Sequence, residues 1–573
     1  MKILPPVSIE ARRLLPSRWD LLAAVLVLGF IVLFADASSS LSTPLSRLTY
    51  QNLSLDVALL PGYAVRTAMR MLIAMGVSLF FALPYATWAA KSRRAGTLLV
   101  PLLDILQSVP ILSFLSVTVV WFLSLSPGRE LGAELACIFA IFTSQAWNMA
   151  FSFYQSLRTI PEELEEAGRM LGLSRWSRFW RIEAPFGTPP LIWNMMVSMS
   201  GGWFFVTMAE AFSVGQTDIT LPGIGSYIAV AIAQKDLMAI IYAIIAMLVV
   251  ILIYDQLMFR PLLAWADRFR MDDGEDQTPE SWALTMYRRS RLLDLMTAPF
   301  EKLMQWSYRW QPPSFGVRAA VPEMDSRMAD IIWYAILAAM GLYGGWRIWS
   351  FAQANLSWMD FGEAVGLGFL TMARVMVLIV LASLIWVPVG VYIGLRPRLS
   401  QIVQPVAQFL AAFPANILFP LAVSLIVYFQ VNPDIWLSPL MVLGTQWYIL
   451  FNVIAGASVM PKELRDAGDN IGLKGVLWWK RLALPAIFPY YITGAIAATG
   501  GSWNASVLAE VANWGSTTLR AHGLGAYIAS AAQAGDFRRV VLGTAVMAFF
   551  VVVLNRIIWQ PLYWLAERKY RLM

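Results

Sequence analysis

Four side chains in the apolar part of this chain could carry charge chemistry: Arg70, Arg374, Glu210 and Glu510. Each acid stands late in a hydrophobic run, where an unpaired carboxylate costs several kcal/mol or takes up a proton. Each therefore needs a partner, and the arginines, about two turns into earlier runs, predict the pairs Arg70–Glu210 and Arg374–Glu510. Such a pair can fix helix packing, or it can hold a cation beside a path for an anion. Little else suits catalysis. His522 is the only histidine and Cys137 the only cysteine, which removes His-rich metal chemistry, disulfides and thiolate metal sites and leaves no convincing nucleophile–base pair. Cys137 reads as a small core residue, and His522 as a solvated loop residue. No G-x-x-x-x-G-K-[ST] stretch occurs, so the chain has no P-loop with which to bind ATP.

The elements that position these groups follow from composition. Of 573 residues 58% are hydrophobic and only 14% charged, and mean hydropathy is +0.61. These values indicate an all-α polytopic membrane protein. The net charge of +7 then encodes orientation rather than nucleic-acid affinity. Apolar runs at 21–34, 63–90, 98–125, 131–153, 190–213 and 237–262 predict six spans in the first half. Arginines and lysines cluster before the first run, after the second, in 161–185 and after the sixth, which places both ends of this half and the 161–185 segment in the cytoplasm. Residues 1–16 are polar and basic, and the first run reads as an anchor rather than a cleavable signal.

The pattern then repeats. Thr67, Arg70, Pro84, Pro101 and Pro110 recur 304 residues later as Thr371, Arg374, Pro388, Pro405 and Pro414. After a loop four residues shorter, Trp147, Gly172, Pro185, Trp203, Glu210, Gly223, Gly225, Tyr227 and Asp236 recur at an offset of 300. Chance does not keep so many residues in register, so the chain is an internal duplication. Spans near 331–349, 366–394, 402–429, 436–457, 486–511 and 540–562 complete a second half. Six spans return each half to its starting side, giving about twelve transmembrane helices as two parallel six-helix repeats. The expected organisation is a first repeat over 1–262, a cytoplasmic connector over 263–328 and a second repeat over 329–573. Within the connector, 292–310 has helical apolar spacing, suited to the membrane surface or to the chain's own cytoplasmic face.

Two polar stretches interrupt the apolar chain at 161–185 and 461–485. Glu166, Ala167, Gly168 and Gly172 in the first correspond to Asp466, Ala467, Gly468 and Gly472 in the second. Pro161 suits a helix start and the acids after it suit that end of the helix dipole. Gly172 can end the helix, and Pro185 is expected to stop the next helical piece before the following span. A short helix with a small-residue patch, duplicated, could insert into a groove on a soluble partner. Pro110 and Pro414, beside Gln107, Ser108 and Asn416, are expected to break their spans, and broken backbone in a membrane lines a cavity or is shielded by protein. Gly223–Gly225 and Gly523–Gly525 are expected to be turns.

The 161–185 template resembles the coupling-loop motif of bacterial ABC importer permeases. Thr-x-x-Arg in the second span, the proline in the third and the late acid followed by Gly-x-Gly-x-Tyr resemble the nitrate/sulfonate/taurine/bicarbonate group. Ordinary members are single six-span proteins that dimerise, so this chain would carry a pseudo-dimer. The resemblance implies a transport subunit and not an enzyme. Two separate ATPase subunits, carrying ATP and Mg, would dock on Glu166, Ala167, Gly168, Gly172, Asp466, Ala467, Gly468 and Gly472. It also implies an extracytoplasmic substrate-binding protein, a bacterial inner membrane location and a small solute, an anion of that class. Arg70, Glu210, Arg374, Glu510, Pro110 and Pro414 are then the candidates for the translocation path. The alternative is a proton-coupled twelve-span secondary transporter using Glu210 and Glu510, which leaves the two polar stretches unexplained.

Overall fold

The computed structural model describes residues 19–25, 27–29, 53–108, 111–214, 217–269, 282–309, 326–355 and 357–569. It is overwhelmingly helical, because apolar backbone away from water must satisfy its own hydrogen bonds. Among the described residues six helices are long and apolar enough to cross a membrane: Val57–Lys91, Glu130–Arg158, Leu237–Ala266, Trp358–Gly394, Gly475–Ala509 and Phe537–Ala566. Pro433–Leu443 and Gln446–Ser458, bent by 43° at their junction, make a seventh if taken as one. Most other expected spans are present as broken or less apolar helices. The third is described as the helices Arg93–Ser108 and Ile111–Leu125, with residues 109 and 110 outside the described residues. The ninth is split into Pro397–Ala412, a 3₁₀ turn Ala415–Leu418, and Phe419–Phe429. The fifth is Ala184–Ala209 and the seventh Ser326–Asn355. Only 19–25 and 27–29 of the first run are described, and they are helical.

In each half, three helices form the packing centre. Leu60–Lys91 lies on Glu130–Arg158, which lies on Ala184–Ala209; Trp358–Gly394, Gln446–Ser458 and Leu484–Ala509 repeat the arrangement. Trp203 and Trp503, exact counterparts at the 300 offset, are fully buried at its centre with Tyr227, Phe153 and Phe259. The broken spans cross between halves. Ile111–Leu125 packs on Leu484–Ala509 and Phe537–Leu554, while Ala415–Leu418 packs on Ala184–Ala209 and Leu237–Tyr254. The halves are thus interlocked through parts of the third and ninth spans.

Three features depart from expectation. Two short antiparallel hairpins follow the late acids, Ala211–Val214 with Thr217–Thr220 and Val511–Trp514 with Thr517–Arg520. Pro185 and Pro485 do not stop a helix. Arg175–Arg178 runs through a π turn, Phe179–Glu183, straight into Ala184–Ala209, and Gly475–Trp478, Trp479–Ala483 and Leu484–Ala509 do the same. Each proline occupies the first turn after the π segment, where its missing N–H is tolerated. A second π pair, Asp255–Phe259 and Asn555–Trp559, sits near the ends of the last spans. In the connector, Trp282–Arg289 is anchored by Tyr287, whose hydroxyl donates to the Leu257 carbonyl at 3.2 Å. The expected 292–310 helix is Arg291–Arg309; Trp310 lies outside the described residues.

Candidate functional site

The two duplicated polar segments are alike in backbone. Glu162–Met170 and Lys462–Asn470 each begin after a proline, Pro161 or Pro461. Both end as the sequence predicts, with Gly172 at φ +63° and Gly472 at φ +71°. That left-handed conformation suits glycine and lets Leu173 N–H donate to the Gly168 carbonyl at 3.1 Å, and Leu473 N–H to Gly468 at 3.0 Å. Gly168 and Gly468 are buried against Ile182 and Leu482, while Glu166, Ala167, Asp466 and Ala467 are exposed. The small residues thus face both ways: Gly168 seats the helix on its own subunit and Ala167 leaves its outer side low.

At the opposite end of the spans, each half closes on one buried polar cluster. Arg70 Nη1 donates to Glu210 Oε1 at 2.8 Å and to the Pro222 carbonyl at 2.9 Å. Its Nε and Nη2 donate to Glu134 at 2.7 and 2.5 Å. Thr67 Oγ1 donates to Glu210 at 2.7 Å and accepts from Ile224 N–H at 3.0 Å, and Gly225 N–H donates to Glu210 Oε2 at 2.7 Å. Glu210 therefore sits at the start of the helix Ile224–Gln234, where free N–H groups favour an anion. In the second half Arg374 reaches Glu510 at 3.4 Å and Asp434 at 2.9 Å, Thr371 donates to Glu510 at 2.8 Å, and Ala526 N–H donates to it at 3.0 Å. His522, the solvated loop residue of the sequence reading, is exposed, yet its N–H donates to Asp434 at 2.7 Å and its Nδ1 lies 3.0 Å from that carboxylate.

Both Arg–Glu pairs expected from the sequence therefore form, each with a further acid that sequence reasoning missed. Glu134 and Asp434 stand 300 residues apart, so the offset that exposed the duplication also marks them. The Gly-x-Gly motif is not a turn chosen for flexible backbone. Gly223 and Gly523 are extended, at φ −178° and −176°, and are glycine because a Cβ there would collide with the Glu210 or Glu510 carboxylate.

A cavity of about 1330 Å³ lies between the halves. Gln107, Asn148, Trp193 and Asn194 line it from the first half; Tyr448, Phe451, Asn452 and Asn504 from the second. Among the described lining residues only Asp255, Arg260 and Arg556 are charged, all at one end, in or beside the last π turns. Asp255 and Arg260 pair at 3.0 Å. The walls meet through cross-half contacts: Ser200 and Tyr448 hydroxyls at 2.8 Å and the stacked rings of Trp193 and Phe451 at 6.0 Å. The helix Ile111–Leu125 is tied to the other half by Ile111 N–H, which donates to Asn504 Oδ1 at 2.8 Å; the break in the ninth span is tied by Asn416 Nδ2, which donates to Thr207 Oγ1 at 2.8 Å.

Of the translocation-path candidates, Arg70, Glu210, Arg374 and Glu510 are not among the residues that line this cavity, and neither is Pro414, which precedes the Ala415–Leu418 turn at the break. Pro110 lies outside the described residues. The polar groups that do face the cavity are amides and hydroxyls that sequence reasoning passed over. Nothing in their spacing separates them from helix-packing residues.

Comparison with known proteins agrees with this twofold plan. The family described as the binding-protein-dependent transport system inner membrane component matches twice, over residues 78–260 and 386–560. Similar proteins include a bicarbonate transport system permease protein of Synechococcus elongatus, 26% identical over 178 residues, covering 31% of this chain and 61% of that protein. A nitrate import permease protein of Leptolyngbya laminosa is 25% identical over 188 residues, 33% of this chain and 64% of its own length. A taurine transport system permease protein of Escherichia coli is 25% identical over 187 residues, 32% and 64% respectively. The matched stretch thus spans a little under two thirds of each relative. With the family's region present in both halves, the chain is a multi-pass membrane protein that belongs to the binding-protein-dependent transport system inner membrane components and carries their fold twice.

Proposed function

We propose that this chain is a transmembrane permease subunit of an ATP-driven importer, two permease halves fused over 1–262 and 329–573 and joined by the 263–328 connector. The central cavity is its translocation path. The observation that carries this reading is the duplicated protruding helix, Glu162–Met170 and Lys462–Asn470, held on a glycine-capped seat in each half. Two ATPase subunits dock there, on the faces around Glu166, Ala167, Gly172, Asp466, Ala467 and Gly472, and bind the ATP and Mg that this chain has no P-loop to hold. Gly168 and Gly468, being buried, keep the docked helices close to the bundle. Closing of the ATPases brings the two segments together and switches the cavity between outward and inward access. A binding protein delivers solute on the far side. The basic residues around 161–185 place those segments, and both termini, on the cytoplasmic side of the bacterial inner membrane.

The buried clusters around Arg70 and Arg374 serve this cycle as fixed joints. Their full set of partners and their separation from the cavity support a helix-locking role over direct contact with solute. The printed names of relatives make bicarbonate, nitrate and taurine the first solutes to try. In proteoliposomes holding the chain with its ATPase and binding protein, uptake should require ATP on the cytoplasmic side and survive collapse of the proton gradient. Uptake that follows the proton gradient and ignores ATP sinks the proposal in favour of a secondary transporter.

A further inference from the structure

The chamber's walls say more about its solute than the relatives' names do, and this inference rests on the chamber being the translocation path. We infer that it takes an organic solute with a flat, largely apolar body, its polar end met by uncharged amides, in preference to a bare inorganic anion. The volume of about 1330 Å³ would hold several tens of waters at about 30 Å³ each. A nitrate or bicarbonate ion would cross it hydrated, and among the described lining residues it would meet a single cation outside an ion pair. The one charged lining residue without an ionic partner among the described residues is Arg556, exposed at the end that carries the Asp255–Arg260 pair.

The walls are built for something larger. Trp193 stacks on Phe451 across the half boundary and is still 41% exposed, so aromatic surface remains on the wall for a flat partner. Around them stand amide and hydroxyl groups, the usual few polar points of a small-molecule pocket. Gln107 Nε2 donates to Asn148 Oδ1 at 2.7 Å, which leaves the Asn148 amide hydrogens and the Gln107 carbonyl for a ligand. These walls have also diverged. At the 300 offset Trp193 answers to Thr493, Asn194 to Gly494, and Asn148 to Tyr448. A chamber made by two identical chains offers every solute two equivalent poses. Here the walls are not equivalent: both supply amides, Asn148 and Asn194 from one half and Asn452 and Asn504 from the other, but Trp193 has no aromatic counterpart, which suits an unsymmetrical molecule.

The test uses the chain's cysteine content. Cys137, its only cysteine, is fully buried, so a thiol introduced at Thr493→Cys or Val197→Cys, both lining the chamber, reports on it alone. Labelling by a small methanethiosulfonate reagent is followed in membranes, without ATP, in the presence of 4-toluenesulfonate, benzamide, nitrate, bicarbonate or taurine. The expected result is that at least one flat organic probe slows labelling at both positions by about tenfold or more. Nitrate, bicarbonate and taurine leave it unchanged, and adding Trp193→Ala raises the protecting concentration about tenfold. Protection by nitrate or bicarbonate equal to that of the organic probes, or protection by neither organic probe at millimolar concentration, overturns the inference. So does failure of both thiols to label, which means that these walls do not face an accessible chamber. The importer reading fails separately, by loss of ATP dependence in uptake, whatever the labelling shows.

Discussion

The two duplicated polar segments have similar helices and opposite seats. In the first half Glu183 is buried and takes Lys91 Nζ at 2.6 Å and Arg178 Nε at 3.2 Å, so the end of the second span is tied to the segment by charge. In the second half the counterpart of Glu183 is Ala483 and that of Lys91 is Leu395. There Met460, Leu482 and Ala486 form an apolar cluster with Leu395, Leu473 and Trp478 packed on it. What both supply is a rigid seat; ion pair or hydrophobic cluster is a secondary choice. Replacing a buried ion pair by apolar groups of similar size is often neutral, whereas removing one partner is costly. Two halves in one chain can settle on different solutions because neither has to serve in both positions.

The sharpest way to break the comparison of the halves is at Arg70, which is buried, and its counterpart Arg374, which is partly exposed. Arg70→Ala strands Glu134 and Glu210, with side chains 11% and 0% exposed, and should cost about 3–5 kcal/mol, seen as loss of folded yield and a lower melting temperature in detergent. Arg374→Ala should cost less, because Asp434 is 34% exposed and water can replace part of the lost contact. Equal losses would show that the clusters are energetically alike.

At the coupling seat, Glu183→Ala should destabilise by about 1–3 kcal/mol and loosen coupling, read as ATPase activity that no longer responds to solute. Adding Lys91→Leu, which copies the second half, should restore much of the loss. If the double variant is no better than the single, apolar and ionic seats are not interchangeable. Asn504→Ala removes the acceptor for Ile111 N–H and should cost about 1–2 kcal/mol, with faster proteolysis near the start of Ile111–Leu125.

The smallest effect separates the two buried glycines. A Cβ on Gly168 would lie 2.8 Å from Ile182 Cδ1, but one on Gly468 lies 3.1 Å from Leu482 Cδ2. Alanine otherwise gains about 0.5–1 kcal/mol over glycine in a helix. Gly468→Ala should therefore be neutral or slightly stabilising in thermal melts, and Gly168→Ala slightly destabilising. The reverse order would mean that the first seat is the more pliant.

The parts legible in the sequence were those that composition or a fixed offset could carry. Hydropathy marked the spans, the duplication marked the halves, and cost of burial demanded partners for Glu210 and Glu510. The glycine ending each duplicated polar helix was legible because a left-handed residue after a helix has few solutions. The hairpins after the acids were not, since four-residue strands such as Val511–Trp514 give too short an alternation to separate from a helix end. The π turns leave no compositional trace, and so Pro185 was misread as a stop. The chamber escaped for a different reason. Asn148 and Asn504 are three hundred and more residues apart, and only the crossing of the broken spans brings their surroundings together.

The paired π turns also record an order of events. A π turn commonly holds one residue more than the α turn it replaces, and both halves carry one at the same two places, Phe179–Glu183 with Trp479–Ala483 and Asp255–Phe259 with Asn555–Trp559. Two matching insertions are most simply inherited from a single ancestral half, already bent this way before its gene doubled. The four residues that separate the 304 and 300 offsets changed afterwards, between Pro110 and Glu134 or their counterparts. The oldest irregularities in the molecule are therefore the ones that it kept twice.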